Sequence, residues 1–159
     1  IFMPGLRIGW MVAHHDILEK AVMLKQTVDL QSSSFAQLQA SYYIDMYDLD
    51  AHVAKIRELY GKRRTLMYDS MKKYFPQGLS FTYPEGGLFT WVTLPENIDA
   101  KAIMPEVIEK KVAYVPGGAF YPNGGNGNHF RLNYSNMPED RIVEGIKRLA
   151  EVLKQKMGK

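Results

Sequence analysis

The 159-residue sequence has no cysteine. That removes disulfide frameworks, thiolate zinc sites and a cysteine nucleophile from consideration. No apolar run approaches the ~20 residues needed to cross a bilayer, so a membrane-spanning helix is not expected. An excess of one charge is also missing: 20 Lys and Arg stand against 17 Asp and Glu, a net +3. The densest basic run, Lys62-Arg63-Arg64, falls in a helical pattern and reads as a solvated helix face rather than a nucleic-acid patch. Prolines number only 8, and the chain is 46% hydrophobic and 23% charged. These proportions belong to an ordinary globular domain of single-domain size, not to a disordered chain.

Several familiar signatures are absent too. The one Gly/Asn tract, Asn123-Gly124-Gly125-Asn126-Gly127-Asn128, has no strand before it, no helix after it and no Walker-type lysine, so it reads as a flexible surface connection. Ser32-Ser33-Ser34 lacks the strained turn of a nucleophile elbow and reads as a polar link between helices. His14 and His15 are sequence neighbours on a loop, expected to point apart, with no further ligand at metal spacing. No metal site is expected.

What is present begins with a Pro4-Gly5 turn running into an apolar stretch at 6–12, read as a strand. Asp16 and Glu19 have the spacing of a capping box for a helix over 16–30 carrying Ile17, Ala21, Leu24 and Val28. Ser34 with Gln37 is read as capping a second helix through Phe35, Leu38 and Tyr42. The longest periodic segment, 50–75, carries Ile56, Leu59, Tyr60, Leu66, Met67, Met71 and Tyr74 as its apolar stripe and ends at Pro76 and Gly78. Such a helix is roughly 36 Å long, enough to connect two domains.

Beyond it, the pattern turns to strands. Alternation at 79–83 and 88–94 around Pro84-Glu85-Gly86-Gly87 predicts an antiparallel hairpin. Asp99 caps a helix to about Lys110, with Pro105 predicting a kink or late start. Strands follow at 112–115 and 129–135, and Pro138 opens a last helix through Ile142, Ile146, Leu149 and Leu153. The order β-β-α-β-β-α predicts a small sheet with helices on one face. Tyr114, Tyr121 and Tyr134 read more naturally as core than as pocket lining.

Two arginines stand between bulky apolar neighbours: Arg7 between Leu6 and Ile8, and Arg131 between Phe130 and Leu132. A guanidinium stays charged at any working pH and offers a planar fork suited to carboxylate and phosphate. Taken singly, each also fits a strand arginine turned to solvent. The turn before one and the Gly/Asn loop before the other favour anion binding, because both can bring backbone close to a ligand.

Three motifs occur in order along essentially the whole chain: Pro4-Gly5-Leu6-Arg7-Ile8-Gly9-Trp10, Val115-Pro116-Gly117-Gly118-Ala119-Phe120, and Phe130-Arg131-Leu132-Asn133-Tyr134-Ser135. Together they resemble the C-terminal part of a fold-type I, pyridoxal phosphate-dependent aminotransferase of class I/II, closest in flavour to the aminoadipate/kynurenine branch. The resemblance implies an α/β plus α+β fold: the tail of the PLP-dependent transferase large domain (1–50), joined by a long interdomain helix (51–76) to a small α+β C-terminal domain (77–159). It implies that Arg7 binds the phosphate of pyridoxal 5'-phosphate and that Arg131 pairs with the substrate α-carboxylate.

The chain opens on Ile rather than Met. In the family the lysine that forms the Schiff base precedes the phosphate arginine at a spacing that falls immediately before Ile1. The expectation is therefore a piece of a longer enzyme, with no catalytic residue in this chain and no activity alone. The implied substrates are an amino acid and a 2-oxo acid, and the implied whole protein is a cytoplasmic homodimer without nucleic-acid or membrane partners. A rival reading is the PLP-sensing, aminotransferase-like domain of a winged-helix transcription regulator, which a basic winged helix upstream would reveal. A third is an interaction domain with structural arginines, for which Arg7→Ala would leave pyridoxal phosphate affinity unchanged.

Overall fold

The computed structural model describes residues 3–158; Ile1, Phe2 and Lys159 lie outside the described residues, including the first two positions of the opening stretch. The chain divides into two compact units, Ile1–Ile56 and Arg57–Lys159.

In the first unit, Pro4–Leu6 forms a single 3-10 turn, with proline at its start where its missing N–H is harmless. Arg7 closes the turn in the left-handed region, φ 55° and ψ 35°, donating its backbone N–H to the Pro4 carbonyl at 3.2 Å. The strand expected at 6–12 does not form. Its residues beyond Arg7 belong to no ladder, because the single described sheet lies wholly within 80–133 and a strand exists only through a partner.

Helix α1 runs His15–Val28 and α2 runs Ser34–Met46. The Asp16–Glu19 capping box is also not formed. The helix starts a residue early, His14 occupies the cap position without a side-chain bond, and the Asp16 carboxylate turns to both imidazoles instead. For α2 the cap is Ser33 rather than Ser34: its hydroxyl accepts from the Ala36 N–H at 3.4 Å, while Gln37 Nε2 donates to the Ser32 carbonyl at 3.0 Å.

Helix α3, Leu49–Tyr74, contains the boundary between the units. In the second unit it is followed by β1 (Ser80–Phe81), β2 (Phe89–Thr93), α4 (Ala100–Glu109), β3 (Val115–Pro116), a 3-10 turn (Gly117–Phe120), β4 (His129–Asn133) and α5 (Glu139–Lys156). All sheet pairings are antiparallel, in the order β1-β2-β4-β3. The hairpin and the expected order of elements both form. The third strand is shorter than expected because Lys111, at φ 60°, ends α4 and the Val112 N–H is still bonded to the Val107 carbonyl.

Strand alternation sorts the sheet into two faces. Thr90 and Val92 of β2 and Phe130 and Leu132 of β4 are buried. The apolar members join Met67 and Met71 of α3, Ile103 and Val107 of α4, and Ile142, Ile146, Leu149 and Leu153 of α5 in one core. Asp99 caps α4 by accepting from Lys101 N at 2.6 Å and Ala102 N at 3.0 Å, and Pro105 sits inside the helix. The opposite face, carrying Phe89, Trp91, His129 and Arg131, is only partly covered. That alternation puts Arg131 outside the core while Phe130 and Leu132 anchor its strand.

Candidate functional site

Arg131 sits mid-strand in β4, opposite Trp91 of β2 on one side and Val115 of β3 on the other. Its guanidinium carbon lies 3.9 Å from the centroid of the Phe89 ring and 4.8 Å from that of Phe120. Among the described residues no carboxylate pairs with it, and Nε is enclosed without a hydrogen-bond partner. Leaving such a donor unmade costs about 1–3 kcal/mol, and two aromatic faces at about 0.5–2 kcal/mol each supply a comparable compensation. A partly covered cation whose fork meets no carboxylate among the described residues has the chemistry to receive an anion.

The surrounding backbone is tied from several directions. Tyr134 N donates to the Leu88 carbonyl at 3.1 Å and Tyr134 Oη to the Gly86 carbonyl at 3.3 Å, fixing the end of β4 to the hairpin turn. Asn133 Oδ1 accepts from Ser135 N at 2.8 Å and Asn136 N at 3.2 Å, a local turn that stops the strand. Phe120 is held by the 3-10 turn, and Trp91 meets it edge-on at 5.6 Å. Gly117 begins that turn in close contact: an added Cβ would lie 2.6 Å from His129 Cβ and 2.9 Å from Trp91 Cζ2.

Arg7 is exposed in the first unit. Its side chain makes one long bond, Nη1 to the Pro4 carbonyl at 3.4 Å, and no carboxylate meets it among the described residues. A non-glycine residue in the left-handed region is uncommon and mildly strained. The two arginines belong to different units, and each is an uncompensated cation in its own surroundings.

Other expectations divide. Tyr114 and Tyr134 are core residues, as expected; Tyr114 Oη donates to the Ala100 carbonyl at 2.5 Å. Burial, and then the Asp99 charge, push the Tyr114 hydroxyl pKa up. Burial also raises Tyr134, with Arg64 pulling the other way. Tyr121 is half-buried and stacks on His129.

The reading of Lys62-Arg63-Arg64 as a solvated face holds only for Lys62. Arg63 reaches Ser135 and Glu139, and Arg64 donates to the Pro84 carbonyl at 3.1 Å and Tyr83 Oη at 2.9 Å. A single residue step, about 100° around the helix, separates solvent from loop contacts, and composition cannot assign the side. His14 and His15 do not diverge: with Asp16 they place one ligand atom each within 4.8 Å, all on exposed residues. The Gly/Asn tract is fastened at its end, where Gly127 O accepts from Ala100 N at 2.8 Å and Asn128 O from Leu94 N at 2.7 Å. Phe89 and Phe120 were not singled out from sequence. The alternation Phe89, Trp91 gave their shared face, but only the register brings Arg131 onto it.

Known proteins share this sequence pattern and fold. The sequence model of the family "Aminotransferase class I and II" matches residues 2–149. Aromatic-amino-acid aminotransferase 1 of Thermococcus litoralis is 45% identical over the whole chain, which covers 38% of that protein. The 2-aminoadipate transaminase of Thermus thermophilus is 32% identical over 97% of the chain and 38% of its own length. The crystal structure of Pyrococcus horikoshii kynurenine aminotransferase superposes with a TM-score of 0.82 at 45% identity, over 97% of this chain and 38% of that one. A more distant match, at 27% identity over 96% of the chain and 31% of the relative, is an HTH-type transcriptional regulator of Bacillus subtilis. The chain thus spans well under half the length of the relatives it matches, and over the residues it does span it belongs to the class I and II aminotransferases.

Proposed function

We propose that the chain is the C-terminal part of a pyridoxal phosphate-dependent aminotransferase that moves an amino group between an α-amino acid and a 2-oxo acid. The observation that carries this reading is the uncompensated guanidinium of Arg131, with an enclosed, unpartnered Nε and aromatic rings at 3.9 and 4.8 Å. Arg131 binds the substrate α-carboxylate and fixes the Cα–H bond relative to the cofactor. Arg7 holds the cofactor phosphate. Its fork is exposed and, among the described residues, bonded only to its own turn, which fits a dianionic group. Pyridoxal phosphate, when bound, withdraws electrons from the amino-acid Cα and so weakens the Cα–H bond.

In this reading residues 1–50 belong to the large cofactor-binding domain, 51–76 connect, and 77–159 form the small domain. The whole protein is a cytoplasmic homodimer, and the cofactor-bearing lysine lies outside these 159 residues. The chain alone then has no turnover. Among the described residues no helix is long and apolar enough to cross a membrane.

The test uses the whole protein. Arg131→Ala is expected to raise the KM for the amino acid at least tenfold, and Arg7→Ala to weaken pyridoxal phosphate binding by a similar factor, as removal of charge-assisted bonds of about 1.5–3 kcal/mol requires. Unchanged values for both would overturn the assignment. Production of 2-oxo acid by the isolated 159 residues supplied with cofactor and amino acid would overturn the statement about the chain alone.

The distant regulator match supports a second reading, a PLP-sensing domain fused to a winged helix. Cofactor-dependent DNA binding by the whole protein without transamination would favour it.

A further inference from the structure

We propose that Phe89 and Phe120 are positioning residues that hold the Arg131 guanidinium flat and pre-oriented, so that it meets a carboxylate with its terminal Nη pair. The proposal rests on the reading of Arg131 as the α-carboxylate site.

The two rings come from different elements. Phe89 begins β2, two residues before Trp91 on the same face, and Phe120 ends the 3-10 turn that follows β3. Both approach one guanidinium, at 3.9 and 4.8 Å from ring centroid to Cζ. Neither is a core residue: Phe89 keeps 39% and Phe120 47% of its surface exposed. Core packing therefore does not account for two phenyl groups at these positions, and the shared neighbour does. Trp91 abuts Phe120 edge-on, and Gly117 lets the turn lie against Trp91 and His129, so the Phe120 ring is itself supported.

The chemistry explains why rings are used rather than a carboxylate. An aspartate or glutamate would also hold a cation, but it would occupy the fork that the ligand needs. An aromatic face attracts the cation through its quadrupole and leaves the in-plane N–H donors unmade. Nε is enclosed and unpartnered, so a ligand has the two Nη nitrogens to meet. A long arginine side chain normally loses rotamer freedom when it binds; the bracket removes much of that freedom in advance. The benefit falls on association. Once the carboxylate is paired at two points, the pair holds itself.

The experiment measures KM and kcat for the amino acid, at saturating 2-oxo acid, in the whole protein and in Phe89→Leu, Phe120→Leu, Phe89→Tyr, Phe120→Tyr and Arg131→Ala. Leucine keeps apolar bulk without the quadrupole, whereas tyrosine keeps both. Each leucine variant is expected to raise KM about 2- to 30-fold with kcat within about twofold, and each tyrosine variant to return KM to near the parent value. Circular dichroism and bound-cofactor absorbance check that each variant is folded and loaded, and the two phenylalanines lie on separate elements, so failure of one to fold leaves the other as the test.

If Arg131→Ala raises KM but neither leucine variant does, the bracket is wrong and the α-carboxylate assignment stands. If leucine lowers kcat alone, or tyrosine fails to restore KM, the rings act only in packing and the proposal falls. If Arg131→Ala itself leaves KM unchanged, the assignment beneath the proposal fails first.

Discussion

Arg63 Nη1 donates to the backbone carbonyl of Ser135 at 2.6 Å, while its Nε pairs with Glu139 at 3.3 Å. One side chain of α3 thus clamps both the turn that ends β4 and the first turn of α5. The Arg63 side chain is only 15% exposed, so its bond to the Ser135 carbonyl is sheltered, while the Glu139 end of the clamp stays half-exposed.

Replacing Arg63 by alanine is expected to destabilise the second unit by about 1.5–3 kcal/mol, the range for hydrogen bonds to a charged group. Lys62→Ala, which removes the exposed pair with Glu58, should leave stability close to that of the parent. Denaturant midpoints of the two variants make the comparison. Equal shifts would show that Arg63 is a solvated residue like its neighbour.

Glu139 gives a pH signature to the same clamp. Its pKa lies below the ordinary 4.5 because of a bond from its own backbone N–H, then the Arg63 side chain. A folded-state value below the unfolded one contributes stability above about pH 4.5 that is lost as pH falls through the folded value. Stability should therefore decline on acidification more steeply in the parent than in Glu139→Gln. Parallel acid limbs in the two proteins would contradict this.

Tyr114 acts at the other end of the scale. Burial first, and Asp99 second, raise its pKa above the ordinary 10.0. The folded state disfavours the phenolate, so this contribution is complete below pH 10.0 and is lost as pH rises through the folded value. Tyr114→Phe is expected to cost about 0.5–1.5 kcal/mol at neutral pH by losing the buried bond to the Ala100 carbonyl. It should also flatten the alkaline limb of the stability profile. Base titration followed by circular dichroism reads both effects.

The second unit was largely legible in the sequence because its signals are local. Asp99 before α4, the alternation in β2 and β4, and the spacing of Ile142, Ile146, Leu149 and Leu153 each name an element and its buried face. The first unit was less so. The residues at 6–12 have a strand's composition, but a strand is a relation between segments, and no described segment pairs with them. At the site, Arg131 could be picked out from its apolar neighbours, but the face it shares with Trp91 follows only from the register of β2 and β4. Its pairing with Phe89 and Phe120 depends on strand register and on an unforeseen 3-10 turn, and neither leaves a local trace. Arg63 and Arg64 escaped for the same reason: their partners lie 72 and 20 residues away in sequence.

The first unit makes its own prediction. Ala36 is its sole buried residue among those described, while Val12 is 92% and Trp10 78% exposed, and Phe35, Leu38 and Leu24 are also exposed. Open apolar surface of this kind favours association in water. The isolated 159-residue chain is expected to self-associate at micromolar concentration, and Trp10 fluorescence should shift to the blue as it does. A monodisperse monomer in light scattering would be the contrary result.

Gly117 and Gly118 are adjacent glycines with opposite expectations. A Cβ on Gly117 would sit 2.6 Å from His129 Cβ, 2.9 Å from the His129 carbonyl oxygen and 2.9 Å from Trp91 Cζ2, whereas on Gly118 the nearest atom is Gly125 O at 3.7 Å. Two of the Gly117 contacts involve strand β4, which cannot yield without disturbing its ladder with β2 and β3, so the 3-10 turn must move instead. Overpacking of this kind costs about 1–3 kcal/mol. Gly117→Ala is therefore expected to lower the melting temperature by several degrees, while Gly118→Ala stays near the parent. The displaced turn carries Phe120, so Gly117→Ala should also loosen the guanidinium contact of Arg131 and raise the KM for the amino acid in the whole protein. If the variant loses stability without any change in KM, the turn's position matters to the fold and not to the arginine.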